Sequence, residues 1–313
     1  LSSKFSFWEF YFMSYLFEMH LHTDEVSRCA SIPAKQIAEL YLTTDYKGIV
    51  VTDHMNSSAF NNEKYKNATW DEKVTHFLEG FNILKEELAD KMVVLLGMEI
   101  NFYESDNDYL VYGVTEEFLR NNGDLMNYSP EDFSELCKKN GLLFLQAHPF
   151  RRGLTVEDWE ILDGYEIFNG NPRHYSSNPI AEAWAKYHNK DIVVAGSDFH
   201  EIEDLAHGGV VFNNEIKCND DLVRELKALN YTLYKTDFKQ MKCEKGRYQY
   251  SFWGIKDYKS GIIAYAEAEF NARNRIYQSA NPDFNPKVEY MNAPLSRDIP
   301  PMDNSLYLRE NYC

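Results

Sequence analysis

Histidine and carboxylate residues follow several short apolar runs of this 313-residue chain. His20 and His22 come directly after the first run, and alternation along a strand points both imidazoles to the same side, where they can bind one metal ion. The other runs end in residues of the same kinds. These are Asp53 and His54, then Glu99, then His148, and finally Asp198 and His200. Imidazole and carboxylate groups together are typical ligands of divalent metal ions.

Each motif alone is weak support for a metal site. An HxH pair is more often a surface or core pair, and an Asp or Ser after a strand is an ordinary helix N-cap. The combination is stronger, because five of the nine histidines, with Glu99 and Asp198, lie at the ends of apolar runs. A purely structural role would bury several imidazoles and carboxylates together at a considerable desolvation cost. The set therefore predicts a metal centre.

The apolar runs alternate with amphipathic helical stretches, which is typical of strand and helix units around a parallel sheet. About eight strands are predicted, the number that a closed (β/α) barrel requires. In such a barrel the carboxyl ends of all strands lie on one face, so the motifs would converge on one cavity. The predicted strands are residues 17–19, 48–52, 92–96, 109–112, 142–145, 164–168, 192–195 and 209–212.

The motifs HLHT, VTDH, GMEI, QAHPF and GSDFH occur in this order. In that order they resemble the successive motifs of the PHP (polymerase and histidinol phosphatase) superfamily, over residues 17–236. The resemblance implies an α/β fold of the PHP type, a distorted (β/α)7 TIM-like barrel, and thus seven strands rather than the eight counted above. It also implies up to three bound divalent ions and, in most members, hydrolysis of phosphoesters.

The resemblance assigns metal ligands residue by residue. Glu99 would bridge two ions. Asp108 matches a position that is usually histidine in the family, and a carboxylate can replace imidazole as a ligand. Apart from Glu99, the ligands would be His20, His22 and Asp198 for the first ion, and His148 and Asp108 for the second.

The third ion is where this sequence departs from the family. His54 and His200 would bind it with a residue of the loop after HLHT, but the usual Asp or His five or six residues after the second histidine is missing. We expect Glu25 to replace it, ahead of Asp24 and Cys29. The predicted cofactors are two to three divalent ions, with Zn, Mn and Fe all suited to mixed imidazole and carboxylate ligands.

A mechanism follows from the predicted ions. Two divalent ions about 4 Å apart can share a water, lower its pKa towards neutrality and deliver a bridging hydroxide to phosphorus. Arg151 and Arg152 follow the HPF motif, and a guanidinium can bind the other phosphate oxygens bidentately, unless both are solvated loop residues. Arg151 is the first choice because it is closer to His148. The predicted function is hydrolysis of a small phosphomonoester.

Two more residues are candidate catalytic groups. His207 could line the mouth of the site or protonate a leaving group, although the Gly-Gly pair after it also marks a turn. Asp53 could accept a hydrogen bond that orients a ligand histidine, or cap a helix. Asn169 follows another predicted strand and could contact the substrate or form a turn.

Two other functions are compatible with the same motifs. One is a metal-dependent amide or ester hydrolase on the same barrel, because hydroxide activated by two metal ions can also attack a carbonyl carbon. The other is a non-catalytic, metal-stabilised scaffold whose proline-rich C-terminal segment recruits a partner protein.

The composition limits the partners. The formal net charge of −17, from 49 acidic and 32 basic residues, makes nucleic acid an improbable partner and disfavours anionic membranes. Five widely separated cysteines without a CxxC spacing indicate a reducing, cytoplasmic compartment. The apolar run at residues 5–17 is too short to span a bilayer, which needs about 20 residues.

Three segments are expected along the chain. Residues 1–12 form an N-terminal extension, with Met13 as a candidate start, residues 13–236 form the PHP-type metal-dependent hydrolase barrel, and residues 237–313 form a C-terminal extension of unknown role. Within that extension, residues 261–277 have the pattern of one amphipathic helix. The remaining tail is expected to be extended, because five of the ten prolines follow residue 281.

Overall fold

The computed structural model describes residues 14–61, 63–151, 154, 156–174 and 176–236, and the strand segments 248–257, 261–271 and 287–290. The predicted extension at residues 1–12 lies outside these residues. The strands are β1 (Tyr15–Glu18), β2 (Gly48–Val51), β3 (His54–Met55), β4 (Val93–Leu96), β5 (Met98–Asn101), β6 (Asp108–Tyr112), β7 (Leu143–Gln146), β8 (Gly164–Asn169), β9 (Ile192–Gly196), β10 (Gly208–Phe212), β11 (Tyr231–Lys235), β12 (Tyr248–Asp257), β13 (Gly261–Asn271) and β14 (Lys287–Tyr290).

Helices connect many of these strands and cover the sheets. They are α1 (Ala34–Tyr41), α2 (Trp70–Phe77), α3 (Glu79–Glu87), α4 (Glu116–Asn121), α5 (Pro130–Asn140), α6 (Asn178–Tyr187) and α7 (Asn219–Lys227). Their starts follow local capping chemistry: the Thr69 side chain caps α2 and the Ser129 side chain caps α5, by accepting a backbone N–H of the first turn. Within the described ranges, no helix has both the length and the apolar character that crossing a membrane requires.

The strands of the motif region form two sheets. The first has the order β11-β10-β1-β2-β4, and the second has the order β3-β5-β6-β7-β8-β9. Every predicted apolar run overlaps one of these strands. The α/β class is therefore confirmed, whereas closure of all strands into one sheet is not observed.

Two strands of the first sheet are each followed, after a short break, by a strand of the second sheet that lies beyond the predicted bounds. Thr52 and Asp53 separate β2 from β3, and Gly97 separates β4 from β5. Backbone hydrogen bonds cross this break, since Gly97 N–H donates to the Val51 carbonyl at 2.9 Å and Glu99 N–H donates to the Asp53 carbonyl at 3.1 Å. Backbone hydrogen bonding therefore continues from one sheet to the other across this break.

The ends of β1 and β9 connect the sheets on the other side. An isolated parallel bridge pairs Leu21 with Phe199. His22 N–H donates to the Phe199 carbonyl at 3.0 Å, and Phe199 N–H donates to the His20 carbonyl at 3.2 Å. The residues that follow these two strands are thus held next to each other by backbone hydrogen bonds.

The prediction of an all-parallel arrangement was wrong for two strands. β6 is antiparallel to both β5 and β7, and β10 is antiparallel to β1. Only residues 102–107 join β5 to β6, which is too short for the crossover that a parallel pair needs. As a result, the amino end of β6 lies at the same edge as the carboxyl ends of β5 and β7.

A shared apolar core holds the two sheets together. Phe17, Val50, Leu110, Leu145 and Val194, which come from both sheets, are 0% exposed and belong to one buried cluster. Burying an aliphatic or aromatic side chain of this size stabilises a fold by about 1.5–3 kcal/mol. This core fixes the strand ends that carry the motif residues.

The C-terminal segment contains a separate three-stranded sheet. β12 pairs antiparallel with β13 and with β14, in the order β13-β12-β14. The amphipathic helix predicted for residues 261–277 was wrong, because residues 261–271 form β13. Alternation of apolar and polar residues in this stretch suits a strand as well as a helix, and the neighbouring strand β12 decides between them. Most of the proline-rich tail lies outside the described residues.

Candidate metal centre

The motif residues meet at one edge of the two sheets. They follow the carboxyl ends of three strands or belong to two others: His20 and His22 follow β1, His148 follows β7, Asp198 and His200 follow β9, His54 begins β3, and Glu99 lies in β5. Residues that are far apart in the sequence therefore form one cluster, as the motif pattern predicts.

The backbone is strained at two of these positions. His148 has φ of 28° and Asp198 has φ of 52°, values that residues other than glycine rarely adopt. Such strain costs about 1–3 kcal/mol per residue and is typical of functional sites. At both positions it turns the chain sharply after the strand and places the side chain in the cluster.

Glu99 lies at the centre of the cluster and is 1% exposed. Its Oε1 is 3.0 Å from His148 Nε2, and its Oε2 is 3.3 Å from His20 Nε2. The same Oε2 is 3.2 Å from His22 Nε2 and 3.1 Å from His54 Nδ1. Burial would raise the pKa of Glu99, but the surrounding histidines hold it well below its ordinary value, so the carboxylate is ionised.

Asp198 is the second buried carboxylate. Its Oδ1 lies 3.5 Å from Nε2 of both His20 and His22, and 3.3 Å from His200 Nδ1. Arg151 Nη2 donates to Oδ2 at 2.6 Å. Although burial favours the neutral acid, Arg151 and His20 lower the pKa of Asp198 well below its ordinary value.

Three groups of side chains place potential ligand atoms within 4.8 Å of one another. They are His20, His22 and Asp198, then His20, Glu99 and His148, and then His22, His54 and His200. The first group is the ligand set predicted for the first ion. The second contains the predicted bridging carboxylate and His148, and the third contains both histidines predicted for the third ion.

Hydrogen bonds determine which nitrogen of each imidazole faces the cluster. His20 Nδ1 donates to Glu166 Oε1 at 2.9 Å, and His200 Nδ1 donates to the Asp198 carbonyl at 2.9 Å, since neither oxygen can donate. The Ser27 hydroxyl donates its only proton to Asp53, so at 3.2 Å it must accept from His22 Nδ1. In the neutral form, these three imidazoles therefore carry their lone pair on Nε2.

Several buried imidazole nitrogens make no well-aligned hydrogen bond in the part of the chain that the structure describes, although three of them lie 3.1–3.3 Å from Glu99 Oε2. They are His20 Nε2, His22 Nε2, His54 Nδ1 and His148 Nδ1. Buried polar atoms are normally hydrogen-bonded, so four exceptions in one cluster require an explanation. Imidazole lone pairs beside two ionised carboxylates suit a divalent cation, and the residues therefore fit metal ions.

The pKa shifts divide the histidines into two pairs. At His20 and His22 burial opposes protonation, but nearby carboxylates outweigh it, raising the pKa of His22 to about 9 and that of His20 well above its ordinary value. At His54 burial dominates and lowers the pKa to about 4. Burial and the neighbouring His22 lower the pKa of His200 well below its ordinary value. The carboxylates therefore dominate the electrostatic surroundings of His20 and His22, whereas burial dominates those of His54 and His200.

Asp108 begins β6, at the edge where the cluster lies. Burial and the Glu99 carboxylate raise the pKa of Asp108 to about 7, while His148 and Arg151 act in the opposite direction. Its carboxylate is not a member of any of the three close groups. The charges of the cluster therefore act on Asp108, but its carboxylate does not belong to the closely spaced ligand atoms.

The structure does not bring Glu25 into the cluster. Both of its carboxylate oxygens accept the Ala34 N–H at 3.1 Å, so Glu25 instead satisfies the first turn of α1. Asp24 is exposed. Of the three loop residues considered, Cys29 is the one that contacts a motif histidine, with Sγ 3.2 Å from His200 Nε2.

Arg151 lies directly beside the cluster. Besides Asp198, its Nη2 donates to Asn169 Oδ1 at 2.9 Å and to Ser176 Oγ at 3.3 Å. Asn169 therefore holds Arg151 in place and does not form an isolated turn. Arg152 lies outside the described residues.

Asp53 and His207 occupy different surroundings. Asp53 accepts hydrogen bonds from Thr23 N–H and Ser27 Oγ, both at 2.7 Å, and through Ser27 it reaches the His22 ring. Burial raises the pKa of Asp53 to about 6. His207 precedes β10, and its Nδ1 donates to the Gly170 carbonyl at 3.1 Å. It is not a member of the three metal-ligand groups.

Two buried carboxylates that hydrogen-bond to the cluster residues are not predicted by the sequence motifs. Glu166 contacts His20 through Oε1, and its Oε2 accepts the His148 N–H at 2.9 Å. Glu18 accepts the backbone N–H groups of His20 at 3.0 Å and Ser197 at 2.9 Å. The available signal was an acidic residue inside an apolar strand, and Glu18 has the same alternation phase as His20.

Known proteins match this chain in two ways: a family model matches part of its sequence, and solved structures match its fold. Residues 176–231 match the family model described as PHP-associated. This confirms the resemblance to the PHP superfamily. No curated protein matches the chain.

Solved structures with a similar fold include PsfC from Pseudomonas syringae, at a TM-score of 0.54 and 14% identity, over 72% of this chain and 92% of that chain. A two-domain protein from Bacteroides vulgatus, described as containing a predicted PHP-like metal-dependent phosphoesterase, has a TM-score of 0.51 and 12% identity. The match covers 89% of this chain and 95% of that chain. The lesion-specific endonuclease PfuEndoQ from Pyrococcus furiosus has a TM-score of 0.51 and 13% identity. The match covers 80% of this chain and 63% of that chain. At such identities these neighbours share a fold with this chain.

Proposed function

We propose that this protein is a metal-dependent phosphoesterase that hydrolyses a small phosphomonoester. The observation that carries the proposal is a set of buried imidazole nitrogens that make no well-aligned hydrogen bond in the described residues. Three of them, His20 Nε2, His22 Nε2 and His54 Nδ1, lie 3.1–3.3 Å from Glu99 Oε2. The proposed ligands of two to three Zn, Mn or Fe ions are His20, His22, His54, Glu99, Asp108, His148, Asp198 and His200.

Divalent ions, when bound, supply Lewis acidity and lower the pKa of a water molecule towards neutrality. The protein's own residues hold the ligand atoms for this. Glu166 fixes His20 through Nδ1 and His148 through its backbone N–H. Asp53 acts through Ser27 on His22. Such outer hydrogen bonds set the tautomer and orientation of ligand imidazoles.

Arg151 supports phosphate as the substrate group. Its guanidinium lies 2.6 Å from Asp198 and is 17% exposed, so it reaches both the cluster and the solvent side. A guanidinium can hold two non-reacting phosphate oxygens, and Asn169 and Ser176 keep its orientation. For His207 we propose protonation of the leaving group, which requires the imidazolium because Nδ1–H is committed to Gly170.

The finer architecture belongs to the same proposal. The two sheets would be the halves of a distorted (β/α)7 barrel formed by residues 13–236, with residues 237–313 as an additional segment. We propose a cytoplasmic location from the cysteine pattern. The net charge of −17 favours a small phosphorylated substrate over a long nucleic acid, even though one structural neighbour is an endonuclease.

A substrate comparison tests this function. The full chain, loaded with Zn or Mn, would be assayed with p-nitrophenyl phosphate, a nucleoside monophosphate and p-nitrophenyl acetate. We expect phosphate hydrolysis. Because Arg151 also pairs with the proposed ligand Asp198, Arg151→Ala is compared with the wild type at equal measured metal content, and we then expect its kcat/KM for phosphate to fall by about 10²–10³-fold while any acetate hydrolysis changes little. Arg120→Ala, a substitution in α4, is the control. Acetate turnover without phosphate turnover would favour the amide or ester hydrolase instead.

A further inference from the structure

The loop after the second histidine brings a thiol to the cluster. Cys29 is exposed, and its Sγ lies 3.2 Å from His200 Nε2. His200 Nδ1 donates to the Asp198 carbonyl at 2.9 Å, so Nε2 carries the lone pair of the neutral imidazole. The sulfur therefore lies at the atom through which His200 can bind a metal ion.

His200 belongs to a group of potential ligands that contains no carboxylate. Its partners are His22 and His54, and their ligand atoms lie within 4.8 Å of one another. His22 is 0% exposed, and its Nε2 makes no well-aligned hydrogen bond within the described ranges, although the Glu99 and Asp198 carboxylates lie 3.2 and 3.5 Å away. This second observation, independent of the cysteine, points to a cation that three imidazoles would hold.

The distance between sulfur and nitrogen fits two ligands of one ion. With Zn–N of about 2.0 Å and Zn–S of about 2.3 Å, tetrahedral coordination separates the two ligand atoms by about 3.5 Å. The observed 3.2 Å differs from this by only a few tenths of an ångström. Cys29 is not among the three side chains whose ligand atoms lie within 4.8 Å of one another, so its sulfur would have to move closer to His22 and His54 when the ion binds.

We propose that Cys29 supplies a thiolate ligand to a metal ion held by His22, His54 and His200. The proposal rests on the proposed metal-dependent function and specifies one of its sites. Binding replaces the S–H bond by a sulfur–metal bond, and the thiol proton leaves to solvent. A thiolate and three imidazoles favour Zn(II) or Co(II) over Mn(II) or Mg(II), so this position would select a softer ion than the carboxylate-rich positions do.

Cobalt spectroscopy of the full chain tests the proposal. Co(II) bound through sulfur gives a sulfur-to-metal charge-transfer band in the near ultraviolet, and we expect this band in the wild type. Cys29→Ser should abolish it, keep the visible cobalt bands of the other positions, and weaken binding of one cobalt equivalent by at least about 100-fold. Cys218→Ser, which removes another exposed cysteine, is the matched control and should keep the band.

A second measurement needs no variant. Iodoacetamide labelling of the native chain, followed by peptide mass spectrometry, should show Cys29 alkylated at least about tenfold more slowly after Zn(II) saturation, with the rate at Cys218 unchanged. Bound cobalt without a sulfur band, or equal protection of both cysteines, overturns the role of Cys29 and leaves the proposed function standing. If no cobalt binds, the proposed function fails together with this site.

Discussion

The cluster has two halves that differ in charge and burial. The buried half, His20, Glu99, His148 and Asp198, is at most 3% exposed and includes two ionised carboxylates. The rim half, His54, His200 and Cys29, has imidazoles that are 14% and 11% exposed, and it contains no acidic residue. His22 lies between them and belongs to ligand groups of both.

This difference indicates different demands on a bound ion. In the buried half, Glu99 and Asp198 are ionised, and Glu166 and Arg151 hold the ligands from outside. Carboxylates can balance the charge of two dications, which supports catalytic chemistry there. The rim half offers neutral imidazoles and one thiol. We infer that the buried half carries most of the activity and that the rim half tunes it.

Glu99→Gln should produce the largest loss, because Glu99 contacts histidines of both halves. Losing several kcal/mol of Lewis-acid stabilisation corresponds to about a 10³-fold decrease in kcat/KM. The measurement is steady-state phosphatase kinetics, together with the metal content of each purified variant. Glu79→Gln is the matched control, since Glu79 contacts His76 outside the cluster and should leave both quantities unchanged. Full activity of the Glu99 variant would refute a central role for this carboxylate.

Glu166→Gln should have an intermediate effect that is confined to the buried half. The amide is a weaker acceptor for His20 Nδ1–H and His148 N–H, so affinity for the ion there should fall by about 10–100-fold. Metal titration measures this affinity. Glu157→Gln changes another buried glutamate, one that accepts from the Tyr109 hydroxyl, and separates a metal effect from a loss of stability. Equal effects of both substitutions would argue against a positioning role.

His54→Ala should have the smallest effect on catalysis. It removes a rim imidazole that is 3.1 Å from Glu99 Oε2 and stacks with His22 at 4.4 Å. We expect one metal equivalent to be lost while kcat/KM falls by less than about tenfold, which is roughly 1 kcal/mol of barrier. Metal analysis and kinetics on the same preparation check this. A loss as large as that of Glu99→Gln would abolish the distinction between the halves.

The positions of the strands and most ligand candidates could be predicted from the sequence. Apolar runs identify strands locally, and a His or Asp directly after such a run lies at a sheet edge whatever the order of the strands. The sequence therefore predicts one cluster for His20, His148 and Asp198, which are far apart in the chain, without knowledge of the strand pairing.

Other features depend on tertiary contacts. The antiparallel direction of β6 follows from its pairing with β5 and β7, so Asp108 begins a strand at the edge where other motif residues follow one. Glu25 and Cys29 lie in one loop, and only the fold places the first on the Ala34 N–H and the second on His200. Nothing in the local sequence distinguishes Glu166 from other acidic residues, and its contact with His20 depends on the position of β8 in the sheet.

The most direct test is phosphatase activity measured against metal content. The full chain would be assayed as purified, after chelator treatment, and after Zn, Mn or Fe is restored. We predict two or three bound equivalents, hydrolysis of p-nitrophenyl phosphate that chelation abolishes, and recovery as the ions return. Hydrolysis that survives complete metal removal, or stoichiometric metal without hydrolysis of any phosphoester, would contradict the account.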